Sequence, residues 1–370
     1  MKSADSLVVF GSFGYGNVGD EAVPVAISDL LASIDIELDV KAVSRFSQVQ
    51  MDSVISLGQL DEKKDALDGC PVIISGGGIV EPNKGACISR YLDYLKVVNP
   101  SKTTLLAGSF EFGVNYDWSS KRRIRKALSQ CDRIYTRDYI SELFFHEEFP
   151  ECSVSTLGDV VLGMRPAESS DCLGALGGER FMSVSLCGVW RKSESWYAWV
   201  SQELVKIAKE NNALLLFVPM SCCESDDDRV VHKEVAQRCR AIDASVSCHV
   251  IEAVPGPREV SYIYKQSLLV IAMRLHSCVM AYAQETPFVS LAYHPKLLGF
   301  TQTVGWREFV VPRSLQQRQD AGAYGYKFES LDLNAGDLEA RVAEALNFSN
   351  FKLLPILRNN LKLALIEAVS

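Results

Sequence analysis

Four consecutive residues, Met273, Arg274, Leu275 and His276, follow a short apolar run over residues 268–272 that is typical of a buried strand. A helical pattern begins directly after them. A cation and an imidazole at a helix N-terminus oppose the helix dipole, and a bound anion at that point would explain both. The segment therefore predicts an anion site with His276 as a proton donor beside it. The alternative is a surface arginine and a buried, hydrogen-bonded histidine.

Two further cations stand at the ends of strand candidates. Arg137 ends one apolar run, and its planar guanidinium suits a carboxylate or a phosphate. Lys296 follows another run, after Tyr293 and His294. Because ligands of parallel sheets bind at the carboxyl ends of strands, we expect these cations to face one cleft. For Arg137 the alternative is a surface ion pair with Asp138, which could also cap the next helix.

The loop after the first strand candidate carries a formal GxGxxG pattern at Gly14, Gly16 and Gly19, followed by Asp20 and Glu21. A dinucleotide site would also need an acidic residue at the end of the second strand, and none follows that strand here. The lysine of a phosphate-binding P-loop is absent too. NAD binding is therefore disfavoured, and the two acids are either complements of the helix dipole or catalytic groups.

A second glycine run, Gly76, Gly77 and Gly78, follows a later strand candidate. Glycines at such a point allow close approach of a ligand to backbone amides. A tight strand-to-helix turn explains the same residues equally well.

The composition indicates an ordinary globular chain of 370 residues, 48% hydrophobic and 23% charged, with a formal net charge of −8. This charge argues against nucleic acid as a partner. The eleven cysteines are scattered, odd in number and without zinc-site spacing, which favours reduced, buried thiols. The N-terminus has no signal-peptide pattern and no apolar run is long enough to span a bilayer, so we expect a cytoplasmic protein.

Short apolar runs alternate with helical patterns along the whole chain, which predicts an α/β fold with parallel sheets. The alternation lapses over residues 164–178, which we interpret as a linker. The expected division is therefore an N-terminal Rossmann-like domain at 1–165, a C-terminal one at 166–349, and a terminal helix at 350–370 that packs back on the first domain. The tail is helical from about Leu338, with Pro355 interrupting it. The predicted strands are 7–10, 38–43, 71–74, 103–107, 133–135, 181–186, 213–218, 248–251, 268–272 and 288–292.

Taken together and in this order, these segments resemble the polysaccharide pyruvyl transferase family. Its motifs are matched between about residues 11 and 305 by Asn17-Val18-Gly19-Asp20-Glu21, Gly76-Gly77-Gly78, Arg137-Asp138 with Ser141, Asp159, Arg274-Leu275-His276, and Tyr293-His294-Pro295-Lys296 with Phe300 and Gly305. Two departures stand out. His294 replaces the usual aspartate, and the arginine that often ends the first strand of the second half is missing, with Arg191 the nearest candidate.

The resemblance implies a glycosyltransferase-B-like (GT-B-like) architecture in which two Rossmann-like domains face a cleft, with the acceptor on the N-terminal side and the donor on the C-terminal side. The donor would be phosphoenolpyruvate, and its pyruvyl group would form a ketal on two hydroxyls of a sugar in a cell-surface polysaccharide or its precursor. A lipid-linked oligosaccharide acceptor would bring the protein to the inner face of the membrane. No metal or further cofactor is expected, and the sequence indicates no oligomeric state.

The chemistry of such a transfer requires several cations, a general acid and a base, and the residues offer candidates for each. His276 would be the acid, and Asp20 or Glu21 the base. The donor would be held by Arg137, Arg274 and Lys296 together with Gly76, Gly77 and Gly78. The remaining cleft residues would be Asn17, Asp138, Asp159, Arg191, Tyr293 and His294. A nucleotide-sugar-dependent glycosyltransferase of the same architecture is the main alternative, and a non-enzymatic binding protein is a more distant one.

Overall fold

A computed structural model describes residues 5–14, 16–44, 54–56, 59–60, 62–76, 78–80, 88, 91–110, 116–174, 176–188, 193–223, 226–312, 315–319, 326–330 and 333–370. Two parallel sheets dominate the fold, as the alternating pattern predicts. The predicted α/β class with two facing sheets is confirmed.

The first sheet has seven parallel strands in the order β3-β2-β1-β4-β5-β6-β7. They are β1 (Ser6–Phe10), β2 (Asp39–Ser44), β3 (Val54–Ser56), β4 (Val72–Ser75), β5 (Thr103–Gly108), β6 (Arg133–Thr136) and β7 (Val154–Thr156).

The second sheet has six parallel strands in the order β10-β9-β8-β11-β12-β13. They are β8 (Phe181–Ser185), β9 (Leu214–Phe217), β10 (Cys248–Val250), β11 (Val270–Ala272), β12 (Phe288–Leu291) and β13 (Val310–Val311). A separate antiparallel hairpin is formed by β14 (Leu315–Gln319) and β15 (Tyr326–Ser330).

Helices cover the faces of both sheets. They are α1 (Val18–Ala32), α2 (Lys64–Leu67), α3 (Tyr91–Val98), α4 (Trp118–Leu128), α5 (Tyr139–Glu148), α6 (Asp171–Gly174), α7 (Glu194–Asn211), α8 (Asp228–Ile242), α9 (Pro257–Gln266), α10 (Leu275–Ala283), α11 (Pro295–Thr303), α12 (Asp337–Leu346) and α13 (Leu353–Val369). None of the helices in the described ranges combines the length and the apolar character needed to cross a bilayer.

Burial explains why the strands are visible in the sequence. Strands such as β4 and β5 are buried along their whole length because helices cover both faces of the sheet, so they are continuous β-branched and leucine-rich runs. The edge strands β3, β7 and β13 were not predicted. They have two or three residues each and show little periodic pattern, although β10 and β11, also three residues long, lie within the predicted runs 248–251 and 268–272.

The tail corrects one prediction. The helical pattern is interrupted at residues 347–352, upstream of Pro355, and not at the proline itself. Pro355 lies in the first turn of α13, where the missing N–H would have had no partner within the helix.

The terminal helix α13 contacts both halves of the molecule. Arg133 Nε and the Tyr135 hydroxyl, both on β6, donate to the Glu367 carboxylate at 2.5 and 2.6 Å. Arg358 donates to the carbonyl of Leu162 at 2.8 Å and to that of Ala283, on α10, at 2.6 Å. The helix is therefore fixed in orientation on the body of the protein.

A buried carboxylate also joins the halves. Asp29, on α1 and 2% exposed, accepts two hydrogen bonds from Arg258 of α9, at 2.6 and 2.8 Å. It also accepts bonds from the backbone and side chain of Arg165, at 2.8 and 3.1 Å. This cluster fixes α1, whose N-terminus enters the cleft, against the second half.

Candidate active site

A polar cavity of about 180 Å³ lies between the two sheets, at the carboxyl ends of their strands. The first half contributes the sequence-predicted residues Asn17, Asp20, Gly78 and Arg137. The second half contributes Arg274, His276, Tyr293, His294 and Lys296. Residues separated by up to 279 positions therefore meet in one place, because parallel sheets gather their strand ends on one edge.

His276 lies between the two halves. Its Nε2 is 3.5 Å from Oδ2 of Asp159, a carboxylate that is 2% exposed. Asp159 Oδ1 accepts a hydrogen bond from the Val161 amide at 2.9 Å, which fixes the carboxylate. Burial alone would raise the pKa of Asp159, but the charges of His276 and Arg137 and the bond from His276 hold it below its usual value. Asp159 therefore remains ionised and orients the imidazole.

Gly19 leaves the space that the His276 imidazole occupies. A Cβ at this position would overlap His276 Nδ1 and Cγ and would lie 2.7 Å from His276 Cβ. The glycine of the Asn-x-Gly-Asp-Glu motif is thus required by close packing between the halves, in the first turn of α1.

We expect Gly19→Ala to displace His276 and to lower activity strongly while the chain still folds. The added methyl group cannot be accommodated without moving the ring or α1, an overpacking that costs about 1–3 kcal/mol. Turnover and the thermal unfolding midpoint should be measured together, with Gly174→Ala as control because a Cβ there meets nothing within 4 Å. A Gly19→Ala enzyme with wild-type turnover would contradict the packing argument.

Asp20 and Glu21, both in the first turn of α1, have different surroundings. Asp20 lines the cavity, and burial raises its pKa although His276, Lys296, Arg137 and Arg274 act in the opposite direction. Glu21 Oε1 instead accepts a hydrogen bond from the Gly16 amide at 3.1 Å, which closes the glycine loop. The structure therefore brings Asp20, and not Glu21, to the cavity.

Asn17 has a local role in addition to lining the cavity. Its Oδ1 caps α1 by accepting a hydrogen bond from the Gly19 amide at 3.0 Å. The glycine loop also pairs with the second half, since Val18 N donates to Met220 O at 2.9 Å and Cys222 N donates to Gly16 O at 3.2 Å. These backbone bonds close one side of the cleft.

Arg137 is 3% exposed and surrounded by carboxylates. Its Nη2 donates to Ser109 Oγ at 2.9 Å, and its Nε is 3.6 Å from Asp138 Oδ2 and 3.9 Å from Asp159 Oδ2. Asp138 caps α5 through a bond from the Ser141 amide at 2.8 Å, as the sequence indicates. The alternative of a surface ion pair is wrong, because both partners are buried.

The surroundings of Arg274 differ from the expectation that a bound anion accounts for a cation at this helix N-terminus. Its Nε and Nη2 donate to Asp228 at 2.6–3.2 Å, and Nη2 also donates to Asp226 Oδ1 at 2.5 Å. Two carboxylates thus compensate the cation at the helix N-terminus, and no bound anion is needed to explain it. In the described part of the chain, Nη1 makes no hydrogen bond.

Asp228 connects three strand ends and was missed by the sequence analysis. It is fully buried, and besides Arg274 it accepts the amides of Gly188 at 2.8 Å and Met220 at 3.0 Å. These contacts tie the loops after β8, β9 and β11 together. The available signal is a triplet of aspartates at residues 226–228, but acidic residues of this kind are equally typical of a helix N-terminus.

The sulfur of Cys187 and the carboxylates of Asp226 and Asp228 lie within 4.8 Å of one another, close enough to share a metal ion. Arg274 already balances these acids through its hydrogen bonds. The group is therefore explained as the surroundings of a buried arginine. The ten cysteines in the described ranges are free.

His294, which stands where the resemblance predicts an aspartate, caps a helix. The Nδ1 atom accepts a hydrogen bond from the Lys296 amide at 3.3 Å and so caps α11, whose first residue is Pro295. The Lys296 ammonium lies 5.6 Å from the centre of the Tyr293 ring. Burial raises the pKa of Tyr293 well above its usual value, so its hydroxyl remains protonated.

The predicted site also includes three consecutive glycines, Gly76 to Gly78, and Arg191. Gly76 has a φ of +107° and so makes the turn after β4, while Gly78 lines the cavity. Gly77 and Arg191 lie outside the described residues, and their predicted roles stay predictions.

His232 is a buried residue that holds the backbone at the end of β8, next to the site. Its Nε2 accepts the Leu186 amide at 2.9 Å, at the end of β8 and two residues from Gly188. Burial lowers its pKa to about 3. The unfolded chain takes up this proton near pH 6.5 and the folded chain does so only near pH 3, so this contribution to stability is present above pH 6.5 and is lost as the pH falls.

We therefore expect the urea midpoint of unfolding to fall between pH 6.5 and 4, with His232 contributing up to ~1.4 kcal/mol per pH unit. His232→Gln should flatten this dependence, because the amide retains a polar group at the Nε2 position but does not titrate. The control is His249→Gln, at a partly exposed position on β10. An unchanged pH profile in His232→Gln would contradict the assignment.

Two parallel sheets that face each other across a polar cavity define a two-domain α/β protein of the GT-B-like class. The model of one family, polysaccharide pyruvyl transferase, matches residues 17–295. The chain therefore belongs to the polysaccharide pyruvyl transferase family, as the ordered motifs predict. No curated protein matches the sequence.

Solved structures support the fold. UDP-GlcNAc 2-epimerase from Methanocaldococcus jannaschii is similar with a TM-score of 0.55 at 10% identity, over 93% of this chain and 93% of that one. The corresponding enzyme from Rickettsia bellii has a TM-score of 0.52 at 10% identity, over 98% and 95%. The enzyme from Neisseria meningitidis, bound to UDP-GlcNAc, has a TM-score of 0.52 at 12% identity, over 98% of both chains. At such low identity the likeness establishes architecture alone.

Proposed function

We propose that this protein transfers the pyruvyl group of phosphoenolpyruvate to two hydroxyls of one sugar, forming a cyclic ketal in a cell-surface polysaccharide or its precursor and releasing phosphate. The observation that carries the proposal is the cavity itself. It combines three cations with two imidazoles, those of His276 and His294, and one carboxylate of raised pKa, contributed by both halves of a chain of this family.

The cations are the proposed ligands of the donor. Lys296 lines the cavity from α11, and Arg137 lines it from the end of β6. Arg274 lines it as well, and its hydrogen bonds to Asp226 and Asp228 use Nε and Nη2 rather than Nη1. Within the described ranges five aspartates lie around these three cations: Asp20, Asp138, Asp159, Asp226 and Asp228. A multiply charged anion would therefore bind beside carboxylates that already share these cations, so the donor would compete with the acids for the guanidinium and ammonium groups.

The proposed reaction begins with proton transfer from His276 to C3 of the enol, which leaves an oxocarbenium-like centre at C2. The anionic form of Asp159 stabilises the protonated imidazole before this step. A sugar hydroxyl then attacks C2 and gives its proton to Asp20. Phosphate leaves with the C2–O bond electrons, which gives a second oxocarbenium-like centre at C2. The second hydroxyl attacks this carbon and gives its proton to His276, which closes the ketal and restores the acid, while Asp20 loses its proton to the departing phosphate.

The acceptor would enter from the N-terminal half, where Asp20 lies. If it is lipid-linked, the reaction takes place at the inner face of the membrane. In either case no electron transfer occurs, and the only leaving group is phosphate.

Phosphate release is the direct test. Purified protein should release inorganic phosphate from phosphoenolpyruvate only in the presence of the correct saccharide, and the product should gain one pyruvate ketal by mass. Protection against thermal unfolding separates the alternative: phosphoenolpyruvate should stabilise the protein and nucleotide sugars should not. Protection by a nucleotide sugar alone would favour a glycosyltransferase and would reject the proposal.

A further inference from the structure

The outer face of α13 exposes a concentration of apolar side chains. Nine large apolar residues are exposed in the described ranges, and four of them lie on this one helix: Leu353, Ile356, Leu363 and Ile366, between 38% and 57% exposed. Such a concentration marks an interaction surface more often than scattered single residues do. We call these residues, with Lys352, Asn359, Asn360 and Glu367 between and beside them, the α13 outer face.

The inner face of α13 is fully used. Leu354, Leu357, Leu361, Leu365 and Ala368 are buried against the body of the protein. Hydrogen bonds from Arg133, Tyr135 and Arg358 hold the helix from both halves. The outer face is therefore presented in a fixed orientation, and the helix is not available to turn its apolar residues inward.

The residues of the outer face are ordered symmetrically about the midpoint between positions 359 and 360. Leu353 and Ile366 lie at equal distances from this point, as do Ile356 and Leu363, and Asn359 is the counterpart of Asn360. If two copies of the helix pair antiparallel around a two-fold axis at this point, each apolar residue lies level with an apolar residue of the other. Self-complementarity of this kind is the requirement for a two-fold interface.

The charges follow the same symmetry. Lys352 and Glu367 are also equidistant from the midpoint, so an antiparallel pair places the lysine of each copy level with the glutamate of the other. This carboxylate also accepts hydrogen bonds from Arg133 and Tyr135 of its own chain and is 37% exposed, so the lysine would share it with them. The central asparagines can donate and accept hydrogen bonds between the copies. A bilayer surface would not require opposite charges at matched positions or a polar centre, and the pattern therefore fits a second copy of this chain.

We propose that the α13 outer face pairs with the same face of a second molecule around a two-fold axis, making the protein a homodimer. The helix has 17 residues and is about 25 Å long, which gives the antiparallel contact about four and a half turns. This inference does not depend on the reaction that the cavity performs.

Sedimentation velocity over a wide concentration range is the test. The wild type should be a dimer that dissociates on dilution. Ile356→Asp and Leu363→Asp should each weaken dimerisation by about 30-fold or more, the effect expected at a buried interface position. Val230→Asp, on α8 and 67% exposed, is the matched control and should leave it unchanged.

Asn359→Leu makes the test independent of folding defects. An asparagine at an apolar helix seam fixes the register at a cost in stability even when it is hydrogen-bonded, so its replacement by leucine should strengthen dimerisation, which a merely misfolded variant cannot do. Lys352→Glu should weaken it by opposing Glu367 of the other copy. A wild type that is monomeric at every concentration, or a dimer insensitive to both aspartate variants, would overturn the proposal. Binding to phosphatidylglycerol vesicles that Leu363→Asp abolishes, without self-association, would also reject it in favour of a lipid surface.

Discussion

Replacing His276 with alanine is expected to lower turnover by ~10²–10⁴-fold, the range for loss of a general acid or base. The imidazole is the group that contacts elements of both halves, with Asp159 at its Nε2 and Gly19 against its Nδ1. Its removal takes away the proton source proposed for C3 of the enol. Donor binding should change much less, because the cations remain. The measurement is phosphate release at saturating phosphoenolpyruvate, with donor affinity measured separately.

The matched control is His146→Ala, on α5, whose side chain is 54% exposed and does not line the cavity. It should retain wild-type turnover. Asp159→Asn should reproduce part of the His276 defect, since an amide cannot stabilise the imidazolium as a carboxylate does. A His276→Ala enzyme with turnover close to wild type would remove His276 from the role of acid.

The two sheets could be predicted from the sequence because most of their strands are buried on both faces. Buried parallel strands must be continuous apolar runs, and crossover helices must separate them, so the pattern of β1, β4, β5, β8 and β9 is visible in the residues. Short edge strands are harder to predict: β3, β7 and β13 were missed, whereas β10, which is equally short, lies within the predicted run 248–251. The break before α13 was misplaced because proline was treated as an interruption, whereas the first turn of a helix accepts it.

The site was partly predictable for a related reason. Strand ends in parallel sheets converge, so Arg137, Arg274 and Lys296 could be expected to meet, and the structure places all three on one cavity. Their partners could not be anticipated. Asp226 and Asp228 lie at the start of α8 and accept hydrogen bonds from Arg274. Nothing in the sequence around these two aspartates indicates that Arg274, more than forty positions later, is their partner.

His294 shows where a motif and its physical function separate. The family pattern has an aspartate there, and the substitution put the role of that carboxylate in doubt. The structure shows an imidazole Nδ1 accepting a capping bond from the Lys296 amide, a role that a carboxylate can also perform. Aspartate and histidine differ in charge, which is what a comparison of sequences detects. The N-terminus of α11 requires only a side-chain atom that accepts a hydrogen bond, and both residues can supply one.

Asp20→Asn is expected to lower turnover by ~10²–10⁴-fold as well, because the amide cannot take the proton of the attacking hydroxyl. The pair of acids in α1 supplies its own control. Glu21→Gln retains an oxygen that can accept the Gly16 amide, so the loop should stay closed and activity should remain near wild type. Equal losses in the two variants would contradict the assignment of Asp20 as the base.

The pH profile adds an independent criterion for Asp20. Burial raises the pKa of this carboxyl above the ordinary value of an aspartate, and a base acts only when it is deprotonated. The kcat/KM of the wild type should therefore fall as the pH decreases through that raised value, while the smaller activity of Asp20→Asn should lack this acidic limb. If the limb persists unchanged in Asp20→Asn, another group is the base, and the loss of turnover in that variant must come from altered packing against His276.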